Sequence, residues 1–127
     1  MKKYTKEEVL QQYEESGKIM YQATLDGDYK TNNKEGARLL KIYKYFEKNR
    51  EFAMDCIKDM LKSENVVVRT EAASYCLALN ENVDTGVEVL SEISGKKENG
   101  IFGFIAKMTL EVWREKGCLK IYQKKEK

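Results

Sequence analysis

The stretch SENVVVRTEAASYCLAL, Ser63 to Leu79, carries the pattern from which the architecture is read. Ser63, Glu64 and Asn65 end one apolar pattern and open another. Asn65 carries the short acceptor that caps a helix N-terminus. From there Val68, Ala72, Tyr75, Cys76 and Leu79 recur at the helical period, which predicts a buried helix face. The Ala72-Ala73 pair lets a neighbouring backbone come close. A helix of this kind cannot bury its apolar face alone, so it predicts a stack of similar units.

Working outward, each flanking segment shows the same punctuation. Thr5 and Glu8 form a capping box, Val9, Tyr13, Ser16, Met20 and Ala23 an apolar face, and Gly27 a C-cap. Asn32 with Glu35 reads as a second box, followed by Gly36, Leu40, Tyr43 and Phe46 as the buried stripe. Asn49 reads as the cap of a third helix with Ala53, Ile57, Met60 and Leu61 inward. Asp84 reads as the cap of a fifth, with Val87, Leu90 and Ile93 inward and Gly95 closing it. Asn99 reads as the cap of a sixth, with Ile101, Ile105, Met108 and Val112 inward and Gly117 closing it. The loops are short, so these helices are expected as three antiparallel pairs. The last two pairs align at a step of about 33 residues, Ile57 on Leu90, Met60 on Ile93, Ala73 on Ala106 and Leu77 on Leu110. The chain has no proline, which suits helix interiors.

At 127 residues the expectation is one domain over residues 1–117, with residues 118–127 as a tail whose final lysines are disordered. The net charge of +2 is unevenly spread. Residues 1–49 carry +2, residues 50–94 carry −5 and residues 95–127 carry +5. A polar interaction protein is expected from this distribution rather than a uniformly basic clamp. Cys56, Cys76 and Cys118 form no Cys-x-x-Cys pair, so two core thiols and one near the surface are expected instead of disulfides. The charged N-terminus and the lack of any run near 20 apolar residues predict a cytoplasmic protein with no membrane partner.

The chain has no histidine, which removes Ser-His-Asp and Cys-His catalysis and histidine metal ligation. No glycine-rich loop follows a strand pattern; Gly100 and Gly103 read as residues that let the last helix approach its neighbour. No enzyme, cofactor or metal site is expected. Asp55 and Asp59 share one helical face and lie near Glu64 and Glu71. They read as a solvated face, or as an acidic surface for a basic protein. Arg69 reads as an arginine paired with a carboxylate of an adjacent helix, or as a partner contact. Trp113 and Arg114 read as a lid on the open end of the core, or as binding anchors. Lys34, Arg38, Lys41, Lys44 and Lys48 form a basic stripe that could neutralise phosphates of a nucleic acid.

Two segments carry a resemblance, VVVRTEAASYCLALNENVDTGVEVLSEI (66–93) and GFIAKMTLEVWREKG (103–117). The pattern is Val68-Arg69, Ala72-Ala73, Gly103-Phe104, Ala106, Thr109-Leu110 and Trp113-Arg114. It resembles a family of small bacterial HEAT/armadillo-like proteins catalogued as a domain of unknown function. The resemblance implies an all-α fold, an αα-superhelix of about six helices, and no established activity. Members resemble the small partners encoded beside bacterial polymorphic toxins. That implies an immunity role; the acidic central pair suits a basic toxin domain as partner, and an uncapped end of the stack leaves both a monomer and a small homo-oligomer open.

Overall fold

The computed structural model describes residues 3–122. Among them are six α-helices and a short 3-10 turn, with no strand. The chain divides into two compact units, Met1–Arg69 and Thr70–Lys127, and the division falls within the fourth helix.

The first unit holds α1 (Lys6–Asp26), α2 (Tyr29–Lys48), α3 (Arg50–Met60) and the opening turn of α4 (Val66–Leu79). Thr5 closes the expected capping box with Glu8, and Gly27 ends α1 at φ 70°. Polar contacts join α1 to α2 in reversed order, which sets the two helices antiparallel. Arg38 donates to Gln12 at 3.3 Å, Ser16 Oγ donates to Glu35 at 2.8 Å, and Asn32 donates to Thr24 at 3.1 Å. Between them Val9, Tyr13, Leu39, Ile42 and Phe46 are sealed from water, and α3 adds Ala53, Cys56, Ile57 and Met60. Tyr13 and Phe46 stack with ring centroids 6.5 Å apart, a geometry that adds to their burial.

Several expectations for this unit need correction, and Met20 and Leu61, expected inward, are only half-buried. Helix α2 starts four residues before the expected box: Asp28 caps it by accepting from the Thr31 amide, and Asn32 lies inside the helix. The buried stripe of α2 is accordingly Glu35, Leu39, Ile42, Tyr43 and Phe46, leaving Gly36 and Leu40 half-buried. Asn49 joins α2 to α3 but makes no side-chain cap; its amide donates back to the Tyr45 carbonyl.

The second unit holds the rest of α4, α5 (Val83–Gly95), the turn Lys97–Asn99 and α6 (Ile101–Lys116). Asn65 does cap α4, accepting from the Val67 and Val68 amides. Every residue assigned inward on α4 is buried, and so are its neighbours Ala73, Ser74 and Leu77. Asn82, not Asp84, precedes α5, and it adopts a left-handed conformation. Asn99 does not cap α6; it donates to the Ile93 carbonyl at 2.8 Å and so closes α5. Gly103 lets α6 pack on that same end of α5, since a Cβ there would stand 3.2 Å from the Ile93 carbonyl oxygen.

All eight residues of the 33-residue register are buried: Ile57 and Leu90, Met60 and Ile93, Ala73 and Ala106, Leu77 and Leu110. These four pairs all lie in the core. The inward face expected for α6 is nevertheless wrong. Ile101, Ile105, Met108 and Val112 are exposed, and Phe102, Gly103, Ala106 and Leu110 are buried in their place.

Two glycines give opposite expected effects. A Cβ on Gly86 would meet the Ala73 carbonyl oxygen at 2.8 Å and the Cys76 Cβ at 3.0 Å. Backbone cannot yield there, so Gly86→Ala is expected to destabilise by about 1–3 kcal/mol. A Cβ on Gly36, inside α2, meets nothing within 4 Å. Gly36→Ala is expected to stabilise by roughly 0.5–1 kcal/mol through helix propensity. Urea unfolding of both variants checks the pair.

Candidate functional site

Helix α6 has two apolar faces, and this is the feature that marks a surface. At about 100° per residue, Phe102, Ala106 and Leu110 form the stripe that packs inward. Ile101, Ile105, Met108 and Val112 form another, turned well away from it, with Phe104 at its edge. Their exposures run from 38 % at Val112 to 62 % at Phe104. The stripe spans about 16 Å of helix at 1.5 Å per residue. A run of large exposed apolar residues at this regularity marks a docking surface more than scattered exposure does.

The 33-residue register gives the stripe its meaning. Its equivalents on α4 are Val68, Ala72, Tyr75 and Leu79, each no more than 3 % exposed. The same four positions are covered on α4 and uncovered on α6. The α6 stripe is therefore built like a helix-packing surface.

The acidic residues singled out in the sequence are arranged differently. Asp55 and Asp59 come together on α3, where Lys6 of α1 reaches both, at 3.2 Å and 2.9 Å. Lys58 pairs with Asp55 at 2.9 Å. The Lys58 and Lys6 ammonium groups hold the Asp55 carboxyl below its usual range, and Lys6 does the same for Asp59. Hydrogen bonds to Asp59 and Asp55 in turn raise Lys6. The cluster ties α1 to α3, and its negative charge is already answered. Glu64 is exposed.

Among the described residues Arg69 does not pair with a carboxylate. Its guanidinium donates to the Ser63 carbonyl at 2.7 Å, closing the turn before α4. Glu71 is half-buried and forms no hydrogen bond or ion pair among the described residues. Burial alone pushes its carboxyl up to about 7. A carboxyl that holds its proton this far up offers a basic partner only part of a charge.

Trp113 is half-buried on the inward side of α6, and Arg114 is exposed on the side away from the Ile101–Val112 stripe. The basic stripe of α2 does face solvent: Lys34, Arg38, Lys41, Lys44 and Lys48 are all exposed. Arg38 is engaged with Gln12 and lies 3.6 Å from Glu35.

Cys56 and Cys76 are buried and Cys118 is exposed, as the residue pattern suggested. Burial pushes the Cys56 and Cys76 thiols to about 11, so both stay protonated and inert. Among the described residues no group of three or more His, Cys, Asp or Glu is placed to hold a metal ion. No described helix is long and apolar enough to cross a membrane. Residues 123–127, assigned above to the end of the tail, lie outside the described residues.

Comparison with protein-family models, with curated proteins and with solved structures finds no match.

Proposed function

We propose that this chain is a non-enzymatic protein-binding module, a HEAT-like αα-superhelix whose α6 stripe grips a partner protein. The exposed row Ile101, Ile105, Met108 and Val112, edged by Phe104, is the observation that carries this reading. The superhelical reading is supported by the buried 33-residue register and by the Val68-Arg69 and Ala72-Ala73 pattern. An immunity role, neutralising a cognate toxin, follows from the family resemblance alone. The stripe sits on the basic third of the chain, and Asp55 and Asp59 are held by Lys6 and Lys58. Apolar contact is therefore a better-supported basis for partner choice than attraction of a basic toxin by those carboxylates.

A second reading rests on α2. Lys34, Arg38, Lys41, Lys44 and Lys48 are exposed along a single face, as nucleic-acid binding requires. Capture from native cells with the tagged protein, with and without nuclease, separates the two. The binding-module reading expects one stoichiometric protein that survives nuclease and is lost with the double variant Phe104→Ser, Met108→Glu. Captured material that vanishes with nuclease, and persists with that variant, would move the function to α2.

A further inference from the structure

The α6 stripe has a property that a surface for a single foreign partner does not need: it is complementary to itself. Ile101, Ile105, Met108 and Val112 are spaced four, three and four apart, so the row reads the same from either end. The 4-3-4 step is also the seam spacing of paired helices. Turned antiparallel on itself, the row sets Ile101 against Val112 and Ile105 against Met108 of the other copy. A two-fold interface demands this reciprocity.

Charge favours the same arrangement. Glu111 and Glu115 follow the Phe104 side of the stripe near the C-terminal end of α6, and neither is ion-paired among the described residues. There they oppose their own helix dipole. The N-terminal end of α6 has no acidic residue in its first turn and no side-chain cap, and exposed Lys97 and Glu98 precede it. In this register an antiparallel copy brings Glu111 to that positive end, opposite Phe102.

We infer that in the absence of its partner the protein pairs with a second copy through α6, antiparallel, and that this pairing covers the partner surface. The inference rests on the reading of α6 as the binding face. The area sets its strength. The five side chains expose on the order of 400 Å² of apolar surface per copy, roughly 800 Å² for the pair and below the ~1,200 Å² at which stable specific interfaces begin. The dimer is therefore weak and concentration-dependent, and a partner with a larger footprint displaces it.

Sedimentation velocity on the full chain tests this. The expected result is a mean mass that climbs from monomer toward dimer between about 10 μM and about 1 mM. Ile105→Glu with Met108→Glu should stay monomeric throughout. Cross-linking fixes the direction, with Cys118→Ser as background. Ile101→Cys mixed with Val112→Cys should form the mixed disulfide dimer at least tenfold faster than either links to itself. A wild-type monomer at 1 mM, a dimer that survives the double variant, or preferential Ile101→Cys self-linking each overturns the inference. A monomer whose captured partner is still lost with the stripe variant overturns the pairing and leaves the binding module standing.

Discussion

Leu110→Ala should lower the unfolding free energy by about 2–5 kcal/mol, whereas Ile105→Ala, on the same helix, should lower it by less than about 1 kcal/mol. Leu110 is 3 % exposed and Ile105 is 40 % exposed. Truncating the first deletes methyl groups from a filled core and leaves a cavity. Truncating the second removes atoms that water already touches. Position within the 33-residue register does not separate them, because both have buried equivalents on α4, Leu77 and Ala72. What separates them is the face of α6 each occupies. Urea unfolding of both variants reads the difference directly. Similar losses, or a larger loss for Ile105→Ala, would mean that the stripe is packed and the docking surface is not there.

The second large effect depends on pH. Glu71 ordinarily titrates at 4.5, and burial pushes it up to about 7 in the fold. Between these values the folded chain holds a proton that the unfolded chain has released. Folding is therefore favoured at the acid end of that window and weakens as pH rises through it. Above pH 7 the charged carboxylate costs about 1–3 kcal/mol, the lower part suiting a side chain that keeps some contact with water. Glu71→Gln keeps the shape and removes the charge, and Glu71 has no partner among the described residues for the change to orphan. The variant should be more stable than wild type by that amount at pH 8 and nearly equal to it at pH 4.5. Urea midpoints across this range test it. Two curves that stay parallel would show that Glu71 keeps its ordinary value in the folded chain.

The sequence made most of the helices legible, for identifiable reasons. Thr5 with Glu8, Asn65, Gly27 and Gly117 are caps whose chemistry is local, so they could be read without knowing what packs where. Asn32, Asn49 and Asn99 looked equally suited to capping, but each found a partner elsewhere: Thr24, the Tyr45 carbonyl and the Ile93 carbonyl. Side-chain amides serve tertiary contacts as readily as helix ends, and the residue type does not say which.

The α6 face was misread for a related reason. Its exposed stripe carries the larger residues, Ile101, Ile105, Met108 and Val112, and its packed stripe includes Gly103 and Ala106. Hydrophobic periodicity favours the larger row. Close packing favours the smaller one, because small residues let two helices approach. The 33-residue register held the corrective signal. It carries Ala73 and Leu77, buried on α4, onto Ala106 and Leu110, the row that packs inward on α6. The candidate site was thus present in the sequence as a pattern, but whether that pattern was covered was not. Asp55 and Asp59 were correctly placed on one face, while Lys6, 49 residues from Asp55, could be brought to them by the fold alone.

If α6 is the binding face, the affinity of the purified captured partner should differ among three forms of the chain. They are the wild type, the α6 variant Phe104→Ser with Met108→Glu, and the α2 variant Lys34→Glu with Lys41→Glu. The α6 variant should bind at least about 30-fold more weakly, since anchor residues at an interface cost about 2 kcal/mol or more, while the α2 variant should bind as wild type. An α6 variant that binds normally beside an α2 variant that does not would contradict that role for α6.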